Sequence, residues 1–297
     1  MTIGEDLMKP YIIVELGQNH NGNFDIALWM TKIASQVGAD AIKLTKRTPT
    51  AIFTLESYHK PYNSLNSFGK TYGKHREYLE FDKKQYGQIS RFAHRLGLDF
   101  IVTVADIPAY EMVKEYVDEI KIGSADIRDM NLLRHIRDDW KGEIIVSTGL
   151  AKKWHILSLI RMFWDKPLTI FNCTCEYPTK REHQNLNRIK TLQKYKLIHP
   201  NLKIGHSDHS SREFDLYTAI SMDIDVLEFH FTLDKSAKGS DHKASINVRQ
   251  LYELMLFVNH RNKILGNKEL RRKIPSYLEP VVEKLWKNKN KLGEYVV

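Results

Sequence analysis

The 297-residue chain has few of the features that stabilise a protein without a hydrophobic core. Its two cysteines, Cys173 and Cys175, cannot make a disulfide framework, so we expect a reducing, cytoplasmic location. No apolar run reaches the roughly 18 residues of a membrane-spanning helix. Acidic residues precede the first apolar stretch and no small-residue cleavage site follows it, which argues against a secretory signal. We therefore predict no membrane partner.

Composition excludes the non-globular classes. Apolar residues make up 42% and charged residues 27% of the chain, with 15 glycines and 9 prolines. These shares are close to those of soluble globular proteins, so collagen-like and disordered readings are excluded. The length permits one large α/β domain or two ordinary ones.

Positive charge is concentrated near the C-terminus. Of the net +9, residues 261–297 carry ten Lys or Arg against four acids, or +6, which leaves +3 for the first 260 residues. A basic tail can bind nucleic acid or an anionic membrane. Because no interleaved aromatic residues or nucleic-acid motif accompany it, we interpret it as a solvated helical face and predict no nucleic-acid partner.

Eight short β-branched runs recur along the chain, most of them one helix and one loop apart. Near-continuous apolar strands that alternate with helices indicate a parallel sheet covered by helices. Eight such units at this length predict an α/β protein with a (β/α)8 TIM barrel. The runs are residues 11–16, 40–45, 99–105, 119–124, 143–148, 168–175, 202–208 and 226–233.

Two segments depart from this period. Residues 57–81, between the second and third runs, are rich in Gly, Tyr, Asn and basic residues, and we predict an ordered lid or rim loop. A helix from about Asn247 to Asn262 is expected to close the barrel. The domain prediction is therefore a catalytic barrel at 1–262 and a basic helical tail at 263–297.

Polar residues follow each run at its carboxyl end, where barrel active sites lie. Lys43 and Lys121 stand in otherwise apolar strands, where an unpaired ammonium is costly. One interpretation is a buried ion pair, for example between Lys43 and Glu15. The other is an anion-binding mouth suited to phosphate, which nearby hydroxyls favour. Those hydroxyls belong to Thr103, Ser124, Ser147 and Ser207.

Two histidines end consecutive strands. His209 follows the seventh run and His230 lies in the second half of the eighth, so their imidazoles can converge on one cation, with Glu15 across the barrel. Each histidine alone is more often structural. Together, two imidazoles with oxygen ligands and open positions suit Mn²⁺ or a similar Lewis-acidic ion. In the loop after His230, Asp241 can accept hydrogen bonds from sugar hydroxyls.

Eight motifs follow one another along the chain: IVELGQNHNG, GADAIKLTKR, FGKTYGKHREYLEF, KIGSADI, VSTGL, NCTCEYPT, IGHSDHS and LEFHFTLDKSAKGSDHKAS. In this order they resemble the sialic acid synthase family over about residues 11–262. Each motif alone is moderately specific, whereas the ordered series is strong.

The resemblance implies condensation of phosphoenolpyruvate with an open-chain amino sugar such as N-acetylmannosamine, giving a nonulosonic acid and phosphate. By matching positions, His209 and His230 would hold Mn²⁺, which polarises the sugar aldehyde, and Glu15 would act on the attacking water or the developing charge. The implied phosphoenolpyruvate contacts are Lys43, Thr103, Lys121, Ser124, Ser147 and Ser207. The implied sugar contacts are Asp126, Tyr177 and Asp241.

The chain also departs from the family pattern. Members usually carry a C-terminal antifreeze-like domain, which supplies an arginine to the sugar site of a partner subunit. Residues 263–297 are too few for that domain, so we expect no such domain. The sequence leaves open whether the chain forms a homodimer. Two alternatives follow: the same chemistry on a different aldose, or a catalytically degenerate barrel used as a binding subunit. A binding subunit without catalysis would gain nothing from burying Glu15, the two lysines and the two histidines, which is costly.

Overall fold

The structure, a computed structural model, describes residues 9–265 and 275–281. Eight parallel strands pair in chain order and the eighth pairs back with the first, which closes a barrel and confirms the predicted fold. The strands are β1 (Tyr11–Gly17), β2 (Ala41–Lys46), β3 (Asp99–Val104), β4 (Glu119–Ile122), β5 (Ile144–Ser147), β6 (Leu168–Cys173), β7 (Leu202–Asp208) and β8 (Val226–His230).

Helices surround this barrel. They are α1 (Phe24–Gln36), α2 (Pro49–Ile52), α3 (Leu55–His59), α4 (Tyr72–Tyr78), α5 (Lys83–Arg95), α6 (Ile107–Val113), α7 (Met130–Asp139), α8 (Lys153–Met162), α9 (Arg188–Gln193), α10 (Glu213–Ile220) and α11 (Val248–Leu265). Among the described residues, no helix combines the length and the apolar character needed to cross a bilayer.

Local sequence signals explain where these helices begin. Before α5, the Asp82 carboxylate accepts a hydrogen bond from the Gln85 amide at 2.8 Å, and the Gln85 side chain accepts one from the Asp82 amide at 3.0 Å. This capping box satisfies two amides that a helix start leaves without partners. Before α6, the Asp106 carboxylate accepts a hydrogen bond from the Ala109 amide, and before α7 the Asp129 carboxylate accepts from the Asn131 and Leu132 amides.

Some strands end earlier than the sequence predicts. The last pair between β4 and β5 is Ile122 with Val146, and a turn follows in which the Asp126 amide donates to the Gly123 carbonyl at 3.0 Å. Likewise β8 ends at His230. The polar residues beyond these points therefore stand on loops, because ladder pairing with the neighbouring strand has ended.

The segment between β2 and β3 contains short helices. α3 and α4 flank an antiparallel bridge between Pro61 and Thr71, and Tyr58 and His75 are buried in this segment. Stacked rings of Phe68 and Tyr78, with centres 5.1 Å apart, add to its packing. Residues 57–81 are thus ordered, as predicted.

The chain divides into two compact units, residues 1–262 and residues 263–297. The first holds the barrel. Of the second, the structure describes only the end of α11 and residues 275–281, which include a 3₁₀ turn at Ser276–Leu278. The helices expected for the rest of the basic tail lie outside the described residues.

Candidate active site

Strand alternation builds the floor of a cavity inside the barrel. One layer of inward-facing side chains is an apolar cluster of Ile13, Ala41, Ile101, Ile145, Phe171 and Val226. Two residues further along the same strands come Glu15, Lys43, Thr103, Ser147, Cys173 and Glu228, which all line the cavity. Residues two apart on a strand share a face, so the apolar layer closes the barrel and the next layer faces the open end.

The cavity has a volume of about 640 Å³. It brings together every site residue predicted from the sequence. Its lining includes Glu15, Lys43, Thr103, Lys121, Ser124, Asp126, Ser147, Tyr177, Ser207, His209, His230 and Asp241.

Four buried charges form the centre of the floor. Lys43 contacts the Glu15 carboxylate and lies 3.8 Å from Glu228, and Lys121 contacts Glu228. All four side chains are nearly inaccessible to solvent. Burial raises the pKa of a carboxyl group, but the two ammonium groups outweigh it and lower the pKa of Glu228 to about 2. The ion pair considered for Lys43 is therefore present, and the four charges sum to zero.

Hydroxyl and thiol groups surround these charges. Lys43 donates to the Thr103 hydroxyl at 2.9 Å, and Ser207 donates to Glu228 at 2.8 Å. Ser124 lies 2.8 Å from the sulfur of Cys175. Both cysteines are free thiols. The floor therefore offers several donors to an anion that displaces the internal carboxylate contacts.

The two imidazoles stand side by side at the cavity wall. The ring centres of His209 and His230 are 5.2 Å apart. The Thr174 carbonyl accepts a hydrogen bond from His209 Nδ1 at 2.7 Å, so His209 Nε2 keeps its lone pair and accepts from the Tyr177 hydroxyl at 3.0 Å. Burial, followed by the charge of His230, lowers the pKa of His209 to about 3, which keeps that ring neutral.

Strand β1 brings a carboxylate to the same place. Glu15 pairs in register with His230 of β8 on one side and with Lys43 of β2 on the other. A Cβ atom at Gly17 would lie 3.0 Å from Glu15 Oε1 and 3.3 Å from His230 Nδ1, in a backbone with φ of +52°. Only glycine adopts that conformation readily and leaves this room beside the two groups.

This donor set fits a divalent ion with open coordination positions. His230 Nδ1 is buried without a hydrogen-bond partner, and the Asp241 carboxylate lies 4.0 Å away. His209 carries the backbone hydrogen bond that typically orients a metal-binding imidazole. In residues 9–265 and 275–281, no group of three or more His, Cys, Asp or Glu is arranged around one metal position. An ion would thus have two imidazole ligands, with water or substrate oxygens completing the shell.

The same cavity carries groups suited to a sugar, two of them beside the imidazole pair. Burial favours the neutral acid of Asp241, but His230 and the nearby arginines lower its pKa. For Asp126, burial prevails and raises the pKa to about 6. Tyr177 stacks on His209 with ring centres 4.1 Å apart. The wall therefore combines hydrogen-bond acceptors with an aromatic face.

Sequence reasoning missed several lining residues. Glu228 is one of them, although its spacing of two from His230 places both side chains on the inner face of the same strand. Thr45 lines the cavity and donates to Glu15 at 3.4 Å. Arg47 and Arg76 also line it, and no periodic pattern marks them because they stand in loops and short helices.

Known proteins resemble this chain in sequence and in fold. The chain is 34% identical to human N-acetylneuraminate-9-phosphate synthase over 86% of this chain and 71% of that protein. It is 28% identical to the N,N'-diacetyllegionaminic acid synthase of Campylobacter jejuni, over 88% and 79%. Its fold matches a crystal structure of the N-acetylneuraminic acid (sialic acid) synthetase of Leptospira borgpetersenii with a TM-score of 0.77, at 27% identity, over 95% and 94%.

A sequence family covers most of the barrel as well. Residues 30–270 match the NeuB family, and the relatives named above are nonulosonic acid synthases. A match over more than half of the chain, together with the fold and the ordered motifs, is specific. The chain therefore belongs to the NeuB family of carbon–carbon bond-forming nonulosonic acid synthases.

Proposed function

We propose that this chain condenses phosphoenolpyruvate with the aldehyde of an open-chain amino sugar such as N-acetylmannosamine, giving a nonulosonic acid and phosphate. One observation carries the proposal: a floor of lysines and hydroxyls, an imidazole pair and a sugar-suited acidic wall share one cavity. The family relationship supports the class of reaction, while the relatives' different names leave the acceptor to experiment.

The floor is the proposed site for phosphoenolpyruvate. Lys43 and Lys121 would turn from Glu15 and Glu228 toward the phosphate and carboxylate groups, because charge-assisted hydrogen bonds to phosphate are strong in a buried site. The neighbouring hydroxyls complete the contacts. They belong to Thr103, Ser124, Ser147 and Ser207.

The reaction requires balanced bond changes at two carbons. C3 of phosphoenolpyruvate forms a bond to the aldehyde carbon, whose oxygen takes a proton. Water then adds at C2, and the bond between C2 and the phosphate oxygen breaks, so phosphate leaves with that oxygen. Glu15 lies between Lys43 and His230 in register, where it would accept the proton of the water and counter the positive charge that develops at C2.

The imidazole pair is the proposed metal site. His209 and His230 would hold Mn²⁺ or a similar ion, which when bound would supply Lewis-acid polarisation of the acceptor carbonyl. Asp126, Tyr177 and Asp241 would orient the sugar through its hydroxyl and acyl groups. Small-molecule partners and a cytoplasmic location belong to the same proposal.

The test is phosphate release and keto-acid formation by purified protein with Mn²⁺, phosphoenolpyruvate and a panel of aldoses. We expect turnover with at least one hexosamine, and ¹⁸O in the bridging position of phosphoenolpyruvate should appear in the released phosphate. Turnover with another aldose alone would identify the alternative acceptor. Silence across the panel, with no metal bound, would favour a non-catalytic binding subunit.

A histidine variant tests the metal ligand separately. His230→Ala should abolish Mn²⁺ binding, measured by the paramagnetic resonance of free Mn²⁺, and turnover with it. Its melting temperature without metal should stay close to that of the unaltered protein, because the ring nitrogen Nδ1 has no hydrogen bond to lose. Retained Mn²⁺ binding would refute the assignment.

A further inference from the structure

The only two thiols of the chain lie together beside the floor of the cavity. Cys173 ends β6, is buried and lines the cavity, while Cys175 stands in the loop after β6 and is exposed. The two side chains are hydrogen-bonded to each other, and the Ser124 hydroxyl lies 2.8 Å from Cys175 Sγ. The thiols are therefore in direct contact, with one of them open to solvent.

Gly149, in the turn after β5, leaves the room that this contact needs. A Cβ atom there would lie 2.4 Å from Cys175 Sγ and 2.9 Å from Cys173 Sγ. Carbon and sulfur atoms do not approach so closely without a bond, so any larger residue would push the thiols away. Both sulfur atoms thus point to one place beside the barrel rim.

The environment assigns a different chemical role to each thiol. Hydrogen bonds with Cys173 and Ser124, together with the charge of Lys121, lower the pKa of Cys175 to about 6, although burial raises it. The hydrogen bond with Cys175 and burial raise the pKa of Cys173, which stays protonated. Because the thiolate is the form that attacks an oxidant, Cys175 is the nucleophile of the pair and Cys173 is its neighbouring thiol.

We propose that Cys175 and Cys173 form a site of reversible oxidation by hydroperoxides, and that the resulting disulfide weakens binding of phosphoenolpyruvate at the floor. The Cys175 thiolate attacks one oxygen of the hydroperoxide and becomes a sulfenic acid, while the other oxygen leaves as hydroxide or alkoxide and takes a proton. The Cys173 sulfur then attacks the sulfenic sulfur, and the hydroxyl group leaves with the Cys173 proton as water. Each disulfide thus consumes one hydroperoxide, and a dithiol reductant reverses it.

The expected effect on binding follows from the position of the pair and rests on the proposed function. Ser124 is one of the proposed phosphoenolpyruvate contacts, and its hydroxyl is hydrogen-bonded to Cys175. A disulfide draws Cys175 Sγ toward Cys173, so Ser124 loses this partner and the loop after β6 must shift. Since Cys173 lines the same cavity as Lys121, the shift reaches the floor itself.

The experiment treats the purified full chain with hydrogen peroxide and measures its intact mass, its free thiols and its affinity for phosphoenolpyruvate by calorimetry. We expect the loss of two hydrogen atoms and of both thiols, a Kd for phosphoenolpyruvate about tenfold higher or more, and recovery of all three with dithiothreitol. Cys175→Ser should show none of these changes relative to its own untreated sample. Cys173→Ser should stop at a sulfenic acid on Cys175, which dimedone traps.

Gly149→Ala tests the geometry separately, because it keeps both thiols and separates them. It should form the disulfide at least tenfold more slowly than the unaltered protein. Survival of both thiols at a peroxide dose that already oxidises methionine would overturn the inference, as would a disulfide that leaves the Kd unchanged. Failure of the reduced protein to bind phosphoenolpyruvate would overturn the proposed function and the effect on binding with it, whereas the mass alone reports the disulfide.

Discussion

Glu228→Gln removes the carboxylate on which two buried lysines converge. Lys121 has no other carboxylate contact within 4.0 Å among the described residues, and its side chain is almost fully buried. Removal of one partner of a buried ion pair typically costs about 3–5 kcal/mol, because the other charge stays buried without compensation. At about 2–4 °C for each kcal/mol in a domain of this size, the melting temperature should fall by on the order of 10 °C.

An anion should reverse part of this loss. In the unaltered protein, phosphate at the floor must replace the carboxylate contacts of Lys43 and Lys121, whereas in Glu228→Gln it restores a missing negative charge. A ligand at 100 times its Kd stabilises a protein by about 2.7 kcal/mol. We therefore expect phosphate or phosphoenolpyruvate, at equal concentration, to raise the melting temperature of Glu228→Gln by more than that of the unaltered protein.

A double variant and a surface pair supply the controls. Lys121→Met combined with Glu228→Gln removes both charges and should recover much of the stability, because an uncharged pair avoids the desolvation penalty. Loss of the exposed pair between Arg249 and Glu253, 3.1 Å apart, should cost less than about 1 kcal/mol. A Glu228→Gln protein within 1 kcal/mol of the unaltered one, or without a larger response to phosphate, would refute the reasoning.

Two further predictions concern titrating groups. Hydrogen bonds with Cys173 and Ser124 lower the pKa of Cys175 to about 6, although burial acts in the opposite direction. The rate at which iodoacetamide alkylates Cys175, measured by mass spectrometry, should therefore rise through pH 6 and level off near pH 7. Ser124→Ala should move that midpoint upward, and a midpoint near 8.5 in the unaltered protein would contradict the assignment. At the other end of the barrel, burial raises the pKa of Glu119 to about 8, so between about pH 4.5 and 8 the folded state holds a proton that the unfolded state has lost. The contribution of Glu119 to stability should therefore fall as pH rises through this range, by at most about 1.4 kcal/mol per unit. The stability of the unaltered protein relative to Glu119→Gln, measured by urea unfolding, should decline across the same range.

The strands could be located from the sequence because each is buried on both faces and is therefore mostly apolar. Lys43 and Lys121 are recognisable as exceptions, because they are charged residues within such apolar strands. Their place at the carboxyl ends predicted a common cavity, since parallel strands in a closed barrel end at one rim. Local signals, such as the Asp82 and Gln85 capping box, likewise depend only on neighbours along the chain.

The contacts that each charged or polar side chain makes could not be predicted in the same way. Lys121 and Glu228 are 107 positions apart, and Arg76 reaches Gln18 across 58. Such contacts depend on strand stagger, on closure of β8 against β1 and on the packing of the segment between β2 and β3. Even for the imidazole pair, predicted to converge, the tautomer of His209 follows from a contact with the Thr174 carbonyl, 35 positions away in the chain.

Sequence alone thus determined the barrel, its eight strands and the rim at which charged and hydroxyl groups collect. These features follow from the pattern of apolar and polar residues, which depends only on residues close together in the chain. Tertiary structure decided that the four charges of the floor sum to zero, which loop side chains line the mouth of the cavity, and which nitrogen atom of His209 carries the proton. Those properties depend on distances of a few ångströms between residues far apart in the chain, and only the closed barrel sets them.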